Sequence, residues 1–91
     1  MSATVRIPTI LRTYTAGAGE VEASGATLVE LLDSLESNHK GIRARILDDA
    51  GQLRRFVNVY VDGDDVRYAG GLGTPVTDGA VVQVLPSVAG G

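Results

Sequence analysis

Thr27-Leu28-Val29-Glu30-Leu31-Leu32-Asp33-Ser34-Leu35-Glu36-Ser37-Asn38 is the stretch on which the reading of the fold turns. Thr27 and Glu30 stand three apart, the capping-box spacing. In that motif a hydroxyl and a carboxylate each satisfy a backbone donor left open at a helix start. Leu28, Leu31, Leu32 and Leu35 then recur at i, i+3, i+4 and i+7, one apolar stripe on a helix. Glu36 and Ser37 fall on the solvent side. Asn38, His39 and Gly41 carry stop signals, with His39 expected as an exposed helix-end residue. The spacing predicts a helix over 28–38 with a single face to bury, and hence a partner with a single face to cover.

The segments on either side supply that partner. On the N-terminal side, residues 3–7 alternate, with Val5 and Ile7 inward, and end near Pro8. A loop with Gly17 and Gly19 leads to a second short strand over 20–23, antiparallel to the first. On the C-terminal side, Ile42, Ile46 and Leu47 keep helical spacing and predict a short helical turn. A turn-rich loop over 48–52 precedes a β-branched and aromatic strand over 56–61. Asp62-Gly63 is a two-residue hairpin turn, and residues 65–68 read as the return strand. Residues 69–79 read as loop, with turns at Thr74-Pro75 and Asp78-Gly79, and residues 80–85 as the last strand, closed by Pro86. The order is strand, strand, helix, strand, strand, strand. One helix between two hairpins predicts an α+β, β-grasp (ubiquitin-like) fold: a mixed sheet with the first and last strands parallel in its middle. The short segment over 42–47 is too small to be the second helix of a ferredoxin-like fold. Residues 1–86 form the expected domain and residues 87–91 a flexible tail.

Composition narrows the function. The chain has 91 residues, room for one domain and for no separate cofactor domain. Eight basic against eleven acidic residues give a net charge of −3, which offers nucleic acid no electrostatic footing. No apolar run approaches the roughly 20 residues of a membrane span. The N-terminus lacks the basic and apolar regions of a secretory signal. Cytoplasmic location is the expectation. Cysteine is absent, which removes disulfides, thiol catalysis and Cys-based metal sites, and the single histidine excludes a His-rich metal centre. No bound cofactor and no metal are expected. Four aromatic residues, Tyr14, Phe56, Tyr60 and Tyr68, are too few for a stacking platform. The balance favours a binding or carrier module over an enzyme.

Several local patterns have two readings. Lys40, Arg43, Arg45, Arg54 and Arg55 are five of the eight basic residues. They form either a solvated face near the helix end or a guide for docking to an acidic partner. Gly70-Gly71-Leu72-Gly73 lacks the strand-to-helix setting and the Lys-Ser/Thr ending of a phosphate loop. Asp62-Gly63-Asp64-Asp65 lacks the remainder of a calcium loop. The informative pattern is the end of the chain, Pro86-Ser87-Val88-Ala89-Gly90-Gly91. At 12 glycines in 91 residues, a Gly-Gly end arises by chance in about 2% of chains. It is either a frayed end or a functional one. Chemically, a carboxylate behind two residues without side chains passes through a narrow channel and reaches the α-phosphate of ATP unhindered, with glycine supplying the backbone freedom.

With these features together, the whole chain resembles the ubiquitin-like sulfur carriers of the MoaD/ThiS family. The resemblance lies in the β-grasp order, the central Asp-Gly hairpin, the Asp-Gly turn before the last strand, and the Pro-containing tail ending in Gly-Gly. Three stretches carry it: Arg6-Ile7-Pro8-Thr9-Ile10-Leu11-Arg12, Arg55-Phe56-Val57-Asn58-Val59-Tyr60-Val61, and Leu85-Pro86-Ser87-Val88-Ala89-Gly90-Gly91. The loop Gly70-Gly71-Leu72 also fits, and the match is best to the branch that supplies sulfide for cysteine synthesis. The resemblance implies a protein co-substrate rather than an enzyme. An E1-like adenylating and sulfur-transferring enzyme would use ATP to activate Gly91 and leave a thiocarboxylate there. Gly90, Ala89 and Val88 would thread the partner's channel. The thiocarboxylate would add to the aminoacrylate formed from O-phosphoserine on a pyridoxal-phosphate-dependent cysteine synthase. A JAMM-type metalloprotease would release the cysteine. No nucleic acid and no membrane enter this scheme. Sulfur supply for molybdopterin, thiamin or another thio-metabolite, modification of protein lysines through Gly91, and a plain interaction domain are the alternatives.

Overall fold

The computed structural model describes residues 2–86. Five strands form one sheet in the order β2-β1-β5-β3-β4, where β1 is Ser2–Arg6, β2 Glu20–Ser24, β3 Val57–Val61, β4 Asp64–Asp65 and β5 Val81–Pro86. β1 and β5 run parallel in the interior of the sheet, with Thr4 beside Val81, Val5 beside Val82 and Arg6 beside Gln83. The remaining pairs are antiparallel. This is the β-grasp arrangement that the element order predicts.

The helix α1, Leu28–Asn38, has the expected bounds. Its four leucines are fully buried in one core with Val5, Ile7, Val59, Val82 and Val84. The strand period of two puts these residues on the covered face and leaves Thr4, Arg6, Tyr60 and Gln83 on the other. At the start of α1, Thr27 Oγ1 accepts from the Glu30 N–H at 3.5 Å. The carboxylate closes one residue further out than the motif predicts: Glu30 Oε1 accepts from the Ala26 N–H at 2.9 Å. The next turn of helix, α2, is Arg43–Ile46, and Ile42, Ile46 and Leu47 are buried as their spacing predicts. Between the helices, the Glu36 carboxylate accepts from the N–H groups of Gly41 and Arg43, both at 2.9 Å. Far from idling in solvent, it ties α1 to α2. These two bonds favour the charged form and hold its pKa below the ordinary value.

Asp62 and Gly63 both have positive φ, 50° and 89°, the type I′ geometry whose twist matches the flanking strands. Three expectations need correction. Residues 9–15 are a 3-10 helix rather than open loop. Leu11 and Thr15 are buried, and the Thr15 hydroxyl donates to the carbonyls of Arg12 (3.2 Å) and Ala18 (2.8 Å). Ile10 faces solvent, Tyr14 is half-buried against the core and Thr15 is polar, so no apolar stripe is readable. The return strand over 65–68 is two residues long. The Asp65 carboxylate accepts from the Arg67 N–H at 2.9 Å and winds Val66–Tyr68 into a 3-10 turn. Finally, β3 begins at Val57, leaving Phe56 outside the sheet.

Candidate functional site: the end of the sheet where β5 stops

β5 runs through the sheet interior and delivers Pro86 to one end of the molecule, beside Val57 of β3. β1 is parallel to it, so Arg6, Ile7 and Pro8 arrive at the same end. Next to them a shallow groove of about 720 Å³ is lined by Arg6, Pro8, Arg12, Glu20, Gln83 and Leu85. Arg6 pairs with Glu20 at 3.4 Å, and Arg12 Nε donates to the Ile7 carbonyl at 3.1 Å. On the far side of Pro86 a second concavity, of about 340 Å³, lies among Asp48, Arg54, Arg55, Phe56 and Val57. Phe56 is 47% exposed and Leu85 40%, although both are large and apolar. The strand that leads to the tail therefore ends between two apolar side chains, each flanked by arginines.

Arg67 braces this end. Its guanidinium donates to Asn58 Oδ1 at 2.6 Å and to the carbonyls of Arg54 and Val57, both at 2.8 Å. It thus occupies acceptors along the start of β3. The sequence reading missed Arg67, Arg6 and Arg12 as members of this end, because only strand register brings them together.

Gly91, Gly90, Ala89 and Val88, the expected reactive terminus and its threading segment, lie outside the described residues. Their expected flexibility lies outside them too. The expected basic cluster is dispersed into separate contacts. Arg43 lies 2.9 Å from Asp33 as an ion pair. Arg45 donates to the Tyr14 hydroxyl at 2.6 Å, with its guanidinium 5.7 Å from the ring centre. Arg54 Nε donates to the Ala44 carbonyl at 2.8 Å. Among the described residues, Lys40 and Arg55 make no ion pair. The Gly70–Gly73 loop turns on itself. The Thr74 hydroxyl accepts from the Gly70 N–H at 3.1 Å and donates to the Gly71 carbonyl at 2.7 Å, while the Gly73 N–H bonds Gly70. The Gly70 and Gly73 donors are thus occupied within the turn. Asp62 has a structural role as well, its carboxylate accepting from the Val81 N–H at 2.9 Å. His39 caps α1, with its N–H on the Leu35 carbonyl, and is half-buried rather than exposed. Among the described residues no group of three His, Cys, Asp or Glu is placed to hold a metal ion. No helix there is long and apolar enough to cross a membrane.

The geometry is shared with known proteins. The model of the ThiS family matches residues 5–91. The sulfur carrier protein CysO of Mycobacterium tuberculosis is 52% identical, with all of both chains covered. CysO in the crystal structure of the Amycolatopsis orientalis BexX/CysO complex superposes with a TM-score of 0.92 at 54% identity, covering 98% of this chain and 99% of that one. Small archaeal modifier protein 3 of Haloferax volcanii is 39% identical, over 72% of this chain and 71% of its own. A family match over nearly the whole chain, on the β-grasp scaffold described above, places this protein in the ThiS family.

Proposed function

We propose that this protein carries sulfur as a thiocarboxylate on Gly91, and that the sulfur goes to cysteine biosynthesis. The observation that carries the reading is the 52% identity, end to end, with a protein named as a sulfur carrier. The position of Pro86 supports it: β5 stops there at one end of the sheet, and Ser-Val-Ala-Gly-Gly follows in the sequence.

The chemistry asks little of the folded domain and much of the terminus. The Gly91 carboxylate attacks the α-phosphorus of ATP on an activating enzyme and pyrophosphate leaves. A sulfide-equivalent nucleophile then attacks the acyl carbon and AMP leaves, so that sulfur replaces one carboxylate oxygen. The thiocarboxylate sulfur adds to the β-carbon of an aminoacrylate, whose phosphate has already departed, and forms a thioester. The amino group of the new cysteinyl unit attacks that carbonyl, moving the acyl group from sulfur to nitrogen. Hydrolysis of the resulting amide, by a metalloprotease, returns the Gly91 carboxylate. This chain supplies a tethered acyl group and a narrow backbone; ATP, pyridoxal phosphate and metal belong to the partners.

Intact mass tests it. With ATP, an activating enzyme and sulfide, the chain should gain the mass difference between sulfur and oxygen. One residue added beyond Gly91 displaces the terminus by up to about 3.6 Å, against a reactive spacing of roughly 3–3.5 Å, and should abolish the gain. An untrimmed extended chain that still supports sulfide-dependent cysteine formation at the normal rate overturns the reading. The likeness to an archaeal modifier favours a second use of the same terminus, isopeptide linkage to lysine. Lysine-linked conjugates on denaturing gels would reveal it.

A further inference from the structure

The basic residues of this chain stand toward one end of the sheet, where Glu20, Glu36 and Asp48 are interleaved with them. β1 and β5 point toward the tail and β3 points away from it, so their ends define two poles. At the pole opposite the tail lie the Asp62-Gly63 hairpin, Asp64, and Asp78, whose carboxylate accepts from the Ser2 N–H at 3.0 Å. Glu30, in the first turn of α1, joins them. No Lys or Arg stands on these turns or on that first turn of helix. The basic residues gather at the tail pole. Arg6 ends β1 and Arg12 follows it. Arg54 and Arg55 precede β3, and Arg67 reaches back to Val57. Lys40 and Arg45 belong to the same end, since Gly41 packs near the Tyr14 ring and Arg45 bonds its hydroxyl. Glu20 pairs with Arg6, Asp48 lines the concavity of Arg54 and Arg55, and Glu36 lies near Lys40, yet basic residues outnumber acidic ones around Pro86 in a chain of net charge −3.

We propose that this pole docks on an acidic protein surface surrounding the mouth of the channel that receives the tail. The inference rests on the carrier reading, in which a partner engulfs residues 87–91. Five residues reach at most about 18 Å, so the rim of any such channel must lie against Phe56, Leu85 and their flanking arginines. The apolar pair gives the contact something to bury, and the arginines fix the sign of the rim. Charge so placed orients the carrier in solution, tail first, before contact. The carboxylates at the far pole repel the same acidic surface and disfavour the reversed encounter.

The probe is immobilised BexX of Amycolatopsis orientalis, named in complex with a relative of this chain. Association and dissociation rates of the full chain are read by surface plasmon resonance between about 25 and about 300 mM salt, where the Debye length falls from roughly 20 to roughly 6 Å. The wild-type association rate should fall about tenfold over that range. Lys40→Gln with Arg55→Gln should slow association about fivefold at low salt and flatten the salt dependence. Ser2→Glu with Thr77→Glu lowers the net charge equally at the opposite pole and should leave association within about twofold. The proposal is overturned by equal slowing in both pairs, by no slowing in either, by salt-independent association, or by no binding of the wild-type chain. Tight binding of the pole to duplex DNA with salt-independent BexX rates would also overturn it, in favour of nucleic acid. Thiocarboxylate on the wild-type chain, read by intact mass, separates the two claims: its absence sinks the carrier reading whatever the rates, and the rates sink the docking surface whatever the mass.

Discussion

Gly25 shows how much a single position constrains this fold. Its φ is +155°, and a Cβ there would stand 2.5 Å from the Leu31 nitrogen and 2.9 Å from Glu30 Cβ. Both neighbours belong to α1 and cannot swing away. Gly25→Ala should therefore cost about 2 kcal/mol or more, read from denaturant unfolding midpoints. Gly63 contrasts with it, having positive φ but open space around the missing Cβ. Gly63→Ala should cost less, about 1 kcal/mol, from backbone strain alone. Glu36 sets a pH dependence. Its folded pKa is depressed by the N–H groups of Gly41 and Arg43 below an ordinary value of 4.5. Its contribution is present above that ordinary value and is lost as pH falls through the folded pKa. Wild type and Glu36→Gln should differ in stability at neutral pH, and the difference should shrink once the pH drops below about 4.5. A difference that persists unchanged at lower pH would contradict the assignment.

At the scale of elements, α1 dominates. Leu31→Ala or Leu32→Ala should cost about 2–5 kcal/mol, because each leucine is fully enclosed and leaves a cavity. That is a large share of a typical 5–15 kcal/mol stability. A change under half a kcal/mol at both sites in equilibrium unfolding would count against the register of the stripe. The bounds of α1 were legible because its leucines are unbroken and its cap is local. The first 3-10 helix was not, because its inward residues, Leu11, Tyr14 and Thr15, mix apolar, aromatic and polar types, while apolar Ile10 faces solvent. The return strand was misread for the opposite reason. Val66 and Tyr68 have strand-like composition, but the Asp65 cap and the three Arg67 bonds outweigh that propensity.

At the scale of the whole molecule, the proposed carrier role puts the chemistry at Gly91, beyond the described core. The core runs from Ala3 to Val84, so a chain ending at Pro86 should unfold within about half a kcal/mol of the full one, although it would lack Gly91. A loss of several kcal/mol in thermal or denaturant unfolding would show that residues 87–91 support the fold. The sequence by itself determined the class of fold, since period-two strands on either side of one period-3.6 helix leave few ways to bury a single apolar face. It determined the hairpin at Asp62-Gly63, because positive φ at two successive positions is a local demand. The tertiary structure alone decided which charges stand together. Arg6, Arg55 and Arg67 are far apart in sequence and join at one pole only because β1 and β5 run parallel while β3 runs against them. Direction and register are products of pairing across the sheet, and no window of sequence contains them.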